Sequence, residues 1–127
     1  MKKIILSIFL LFPAISFANE DMDFDGECYV QGKDNSEQTC KISITRENNL
    51  NYELLKLDKA EYVIETSDNC DEDSCKARLG TTMDNLKSAK RLFRDYQSKK
   101  VVNEVNDFDW VCTKQTQGAL EVCFVIK

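Results

Sequence analysis

The chain contains no histidine, one proline and four glycines in 127 residues. Without imidazole there can be no Ser-His-Asp or Cys-His triad and no histidine-ligated zinc or haem. None of the six cysteines forms a C-x-x-C pair, the spacing that zinc knuckles and dithiol redox sites use. No P-loop, dinucleotide fingerprint or nucleophile elbow is present. Positive charge is also in short supply: 17 Lys and Arg stand against 22 Asp and Glu, a formal charge of −5. An acidic chain gains nothing from neutralising phosphates, so nucleic acid is a poor partner. These absences describe a protein that is not an enzyme and that needs no cofactor and no metal.

The N-terminus has the three parts of an export signal. Met1-Lys2-Lys3 is a short positive segment, residues 4–12 are apolar except for Ser7, and Ser16-Phe17-Ala18 supplies small residues at −3 and −1. The apolar run falls short of the roughly 20 residues that span a bilayer, so no membrane anchor is expected after cleavage. Cleavage after Ala18 leaves 109 residues, removes Lys2 and Lys3 and shifts the formal charge to −7. This places a single domain, residues 19–127, in a bacterial periplasm or outside the cell. Six cysteines in a small exported chain then read as three disulfides. Cys28 and Cys40 flank a turn cluster at residues 32–36, and Cys112 and Cys123 flank Gln117-Gly118, leaving Cys70 with Cys75. A two-residue turn at Gln117-Gly118 sets Cys112 opposite Cys123 and Lys114 opposite Glu121.

The fold expected from patterning is antiparallel α+β. Alternation in residues 41–45, 50–54 and 61–65, together with the strand at Cys28, gives a meander of about four strands. Turns centred on Asn48 and Asp58 would set Ile42 against Leu54 and Ile44 against Tyr52. Tyr62 and Ile64 would join that face, while Leu55, Leu57 and Val63 fall off it. Thr81-x-x-Asp84 resembles a helix-capping box. Met83, Leu86, Ala89, Phe93 and Tyr96 recur at helical spacing, interrupted only by Lys90. A helix over about residues 82–98 is therefore expected to pack on the meander. Residues 110–127 read as a closing hairpin with apolar residues on both faces.

Three acidic segments are candidates for contact with a partner. Asp21-Met22-Asp23-Phe24-Asp25-Gly26 matches the start of a calcium loop, but position 12 is Gly32 rather than a bidentate Glu, so an acidic lead-in is the simpler reading. Asp68, Asp71, Glu72 and Asp73 surround the Cys70 to Cys75 segment and concentrate negative charge there. Asp107, Asp109 and Trp110, with Phe108 between them, place aromatics beside carboxylates, a combination suited to binding surfaces. The competing readings are a solvated loop for the first of these two clusters and a core tryptophan for the second. The profile as a whole points to a binding protein, of the inhibitor or immunity type, that blocks a basic toxin or cell-wall hydrolase. The alternative is an accessory subunit of an envelope or secretion assembly, using the outer face of the closing hairpin around Val125.

Overall fold

A computed structural model of the chain describes residues 20–33, 36–67 and 76–127. It contains β1 (Glu20–Val30), β2 (Gln38–Glu47), β3 (Leu50–Lys56), β4 (Glu61–Ser67), β5 (Ala77–Gly80), β6 (Lys87–Arg94), β7 (Val101–Val102), β8 (Trp110–Gln115) and β9 (Glu121–Ile126). The strand order is β5-β4-β3-β2-β1-β9-β8-β6-β7, with a further pairing of β5 to β6. That pairing joins the two sides of the sheet. Eight antiparallel strands thus close into a barrel, and the short β7 hangs on β6. Closure removes most of the exposed edges that a long open sheet would present.

The expected α+β class is therefore corrected to nearly all β. Residues expected as a helix over 82–98 form a short 3-10 turn, Met83–Asn85, followed by β6. At the turn the Asn85 side-chain oxygen accepts from the amides of Thr81 and Thr82 at 3.0 and 2.9 Å, and its Nδ2 donates to Thr81 Oγ1 at 2.8 Å. Leu86 is already extended (φ −69°, ψ 135°), so these bonds close a turn rather than start a helix. Beyond it Ala89, Arg91 and Phe93 point inward and alternate with Lys90, Leu92 and Arg94. A charged residue facing inward concealed that two-residue period.

The register between β2 and β3 differs from the expected one by one residue. Asn48 and Asn49 both take positive φ (54° and 66°), and Glu47 pairs with Leu50. This is a two-residue turn with left-handed conformation at both positions, which suits the twist of a hairpin. The expected three-residue turn centred on Asn48 is wrong by one residue, and such a slip exchanges the faces of a strand. Ile42 accordingly pairs with Leu55, and Leu54 with Val63. Leu55, Tyr62 and Ile64 line the interior with Ile42, Leu79 and Phe124, while Tyr52 and Leu54 lie outside.

Two disulfides occur among the described residues, not the three expected, and the Cys70 to Cys75 pairing lies outside those residues. Cys28 joins Cys40 with Cα atoms 5.9 Å apart, and Cys112 joins Cys123 at 4.0 Å. The second pair is directly opposed, as is Lys114 with Glu121. The first is diagonal, because Gly26, not Cys28, lies opposite Cys40. An offset of two preserves the face, so the cysteines still meet inside. Gly26 lies where an added Cβ would sit 2.3 Å from the Val125 carbonyl oxygen and 2.6 Å from an Ile42 methyl. The lumen at that level is filled by side chains.

A second apolar cluster sits on the outer wall. Tyr29, Trp110, Cys112, Cys123 and Val125 are buried there, flanked by Leu92 and Tyr96. The connector from β6 to β8, residues 95–109, covers them. The hairpin of β8 and β9 is thus apolar on both faces because one faces the lumen and the other faces its own connector.

Candidate functional site

The connector owes its path to local bonds. The Asp95 carboxylate accepts from the amides of Ser98 and Gln97 at 2.8 and 3.0 Å, and hydrogen bonding from Ser98 above all lowers its pKa. Lys99 takes a positive φ of 62°, and its amide donates to the Asp95 carbonyl oxygen. Arg94 then grips both sides of the turn. Its Nε and Nη2 donate to the two Glu121 oxygens at 2.9 and 3.2 Å, and its Nη1 donates to the Lys99 carbonyl oxygen at 2.7 Å. Glu121, expected opposite Lys114, holds that register position but gives its carboxylate to Arg94.

Trp110 anchors the other end. Its ring stacks on Tyr96 at 5.3 Å and meets the Tyr29 edge at 4.8 Å, and its Nε1 donates to the Tyr96 carbonyl oxygen at 3.0 Å. Asp109 accepts from the Asn106 amide at 2.8 Å and closes the turn before β8. Tyr29 is fully enclosed, and burial pushes its phenol up to about 12. Lys99 caps its ring, with Nζ 4.7 Å from the centroid, and pairs with Glu37 at 2.9 Å.

These constraints present Phe108 to solvent, with 73% of its surface exposed. Beneath it runs an apolar groove of about 480 Å³, lined by Tyr96, Phe108, Val125, Ile126 and Lys127. Glu27 supplies the polar rim: one oxygen accepts from the Tyr96 hydroxyl at 2.7 Å, and the other lies 3.5 Å from Lys127 Nζ. The bond to Glu27 raises the Tyr96 phenol pKa.

The sequence-derived candidates separate in space. Asp107 is exposed next to Phe108 at the groove, whereas Asp109 and Trp110 are buried beneath it as its supports. Asp68, Asp71, Glu72 and Asp73 lie outside the described residues. The Asp21, Asp23 and Asp25 stretch is a strand, not a calcium loop. Its carboxylates alternate along the outer face, where Asp21 accepts from Thr45 Oγ1 at 2.6 Å and Asp25 pairs with Lys41 at 2.7 Å. Tyr96, Ile126 and Lys127 were not singled out in the sequence. Tyr96 counted there as part of a helical stripe, and nothing local marks a groove made by two distant segments. Among the described residues one group of potential metal ligands clusters, Cys112, Glu121 and Cys123, but both sulfurs are committed to a disulfide.

Among the described residues no helix is long and apolar enough to cross a membrane. No protein-family model matches the chain, and no curated protein or solved structure matches it either.

Proposed function

We propose that this is an exported binding protein that blocks a basic toxin or cell-wall hydrolase, and that it engages its target through the Phe108 groove. The observation that carries the reading is the contrast between Phe108 and its support. A largely exposed aromatic sits on a connector fixed by the Arg94–Glu121 pair, the Asp109 bond and the stacked Trp110. Exposed aromatics on rigid supports make strong anchors, since little entropy is lost when they bind. The formal charge of −7 after signal cleavage adds long-range attraction for a basic target. Two disulfides suit an oxidising compartment, which agrees with export to the periplasm or beyond.

The envelope-subunit alternative relied on an uncovered outer face at Val125. That residue is buried under the connector, so most of that face is already occupied by this chain.

The test is affinity capture with mature protein, residues 19–127, from periplasmic and secreted extracts at low and high salt. One stoichiometric basic enzyme or toxin is expected, lost or greatly reduced with Phe108→Ala. Recovery of envelope subunits, or equal capture by the Phe108 variant, would count against the groove as the contact surface.

A further inference from the structure

β1 is longer than the strand beside it. Its pairing with β9 runs from Val30 down to Gly26, and the last bond on that side is from the Lys127 amide to the Asp25 carbonyl oxygen at 3.0 Å. β1 nevertheless continues to Glu20, paired on its other side with β2 as far as Arg46. Residues 20–24 therefore have one edge in the sheet and one edge that no described residue pairs with. Bonding directions alternate along a strand. Asp25 and Gln31 both bond toward β9, so the N–H and C=O groups of Asp21 and Asp23 point the same way, out of the open edge. Five residues of such edge span about 17 Å, the length of an ordinary strand.

The side chains along this edge select an occupant. Asp21, Asp23 and Asp25 are exposed on the outer face, and Met22 and Phe24 are on the inner face, Met22 with 51% of its surface exposed. A second copy of β1 in antiparallel pairing would oppose acid to acid, which is unfavourable. An incoming strand would lie in line with β9, immediately beyond Lys127, and so beside the Phe108 groove that Lys127 lines. We propose that the open edge of β1 accepts an extended basic segment of the partner as an added antiparallel strand. Its cationic side chains would stand opposite Asp21 and Asp23, and the alternate apolar ones beside Met22 and Phe24. This deepens the binding reading above and rests on its basic partner.

The experiment uses isotope-labelled mature protein and a synthetic seven-residue peptide alternating lysine and valine, with a block isomer of the same composition as control. The alternating peptide is expected to slow amide exchange at Asp21 and Asp23 by about tenfold or more at saturation, because those amides become hydrogen-bonded. The block isomer should bind about tenfold more weakly. Asp23→Pro removes one donor from the open edge without touching the β1–β2 ladder and should weaken binding by about fivefold to tenfold. Asp23→Asn keeps the donor and should retain the exchange protection with a smaller loss, which covers the case in which the proline variant does not fold. Equal binding of the two peptides, unprotected Asp21 and Asp23 amides, or sedimentation as a dimer paired through β1 would each overturn the proposal. Phe108→Ala tests the groove separately, through capture of the natural target. If that variant abolishes capture of the natural target while the peptide fails to protect β1, the groove stands and the added strand falls.

Discussion

A carboxylate inside a β-barrel has to be paired or it destabilises the fold. Glu53 is buried on the inner face of β3, and Arg91 reaches it from β6 with two bonds of 3.1 and 2.8 Å. Arg91 also donates to the buried Thr113 hydroxyl at 2.9 Å and stands 5.9 Å from the Phe124 ring centre. Removing one partner strands the other in the lumen. Glu53→Gln or Arg91→Met should each cost about 3–5 kcal/mol in denaturant unfolding. The paired replacement Glu53→Leu with Arg91→Met should recover most of that loss. The same two residues explain most of what patterning missed. Placing Tyr52 and Leu54 inside leaves Glu53 outside, which is the wrong face of β3. An inward Arg91 breaks the apolar alternation that would mark β6 as a strand and leaves the helical spacing of its neighbours as the stronger pattern. Neither residue announces its partner, because the two are distant in sequence and meet only across the barrel. Tyr29 offers a second residue-scale test. Its folded-state pKa of about 12 lies above the ordinary 10.0, so folding favours the protonated phenol. That contribution to stability is fully present below pH 10 and should be lost progressively as the pH rises toward about 12. Ultraviolet titration should show a tyrosine phase near pH 12 that is lost in Tyr29→Phe.

At the scale of elements, turns decided which expectations survived. Thr116 to Gly118 belongs to a longer loop than the two-residue turn expected, closed by the Gln115 amide on the Leu120 carbonyl oxygen at 2.9 Å. Its centre is unchanged, so the β8–β9 register and the Cys112–Cys123 bridge came out as expected. The β2–β3 turn is the opposite case: Asn48 and Asn49 look equivalent to a three-residue turn in composition, and only their φ angles reveal the difference. Asn49→Gly should stabilise the protein by about 0.5–1 kcal/mol, since glycine takes positive φ at least cost and suits this turn type. Thermal melting would check it, and a drop in melting temperature would show that the Asn49 side chain contributes something glycine cannot. The groove was half legible. Phe108 stood out as an aromatic among acids, but its floor comes from the end of β9 and from Tyr96, which only the folded connector brings together.

At the scale of the molecule, the two disulfides among the described residues lie on different sides of the barrel wall. Cys28–Cys40 belongs to the lumen cluster and Cys112–Cys123 to the outer one under the connector. Each closes a loop of 12 or 11 residues, for which chain entropy gives about 3 kcal/mol. Replacing Cys112 and Cys123 together by Ala should therefore lower unfolding free energy by about that amount and also loosen the support of Phe108. Target binding should fall with it, whereas loss of the Cys28–Cys40 bridge should reduce stability with less effect on binding.

β1 and β9 meet along a seam of the barrel wall, with the start of β1 and the end of β9 directed toward the same end. A force applied between Glu20 and Lys127 would open that seam like a zipper, breaking its bonds one after another instead of shearing them together. The barrel is expected to be mechanically soft along this one direction despite its bridges. Peeling should then stall where the load reaches Cys28 and Cys123, leaving the covalently held hairpins intact.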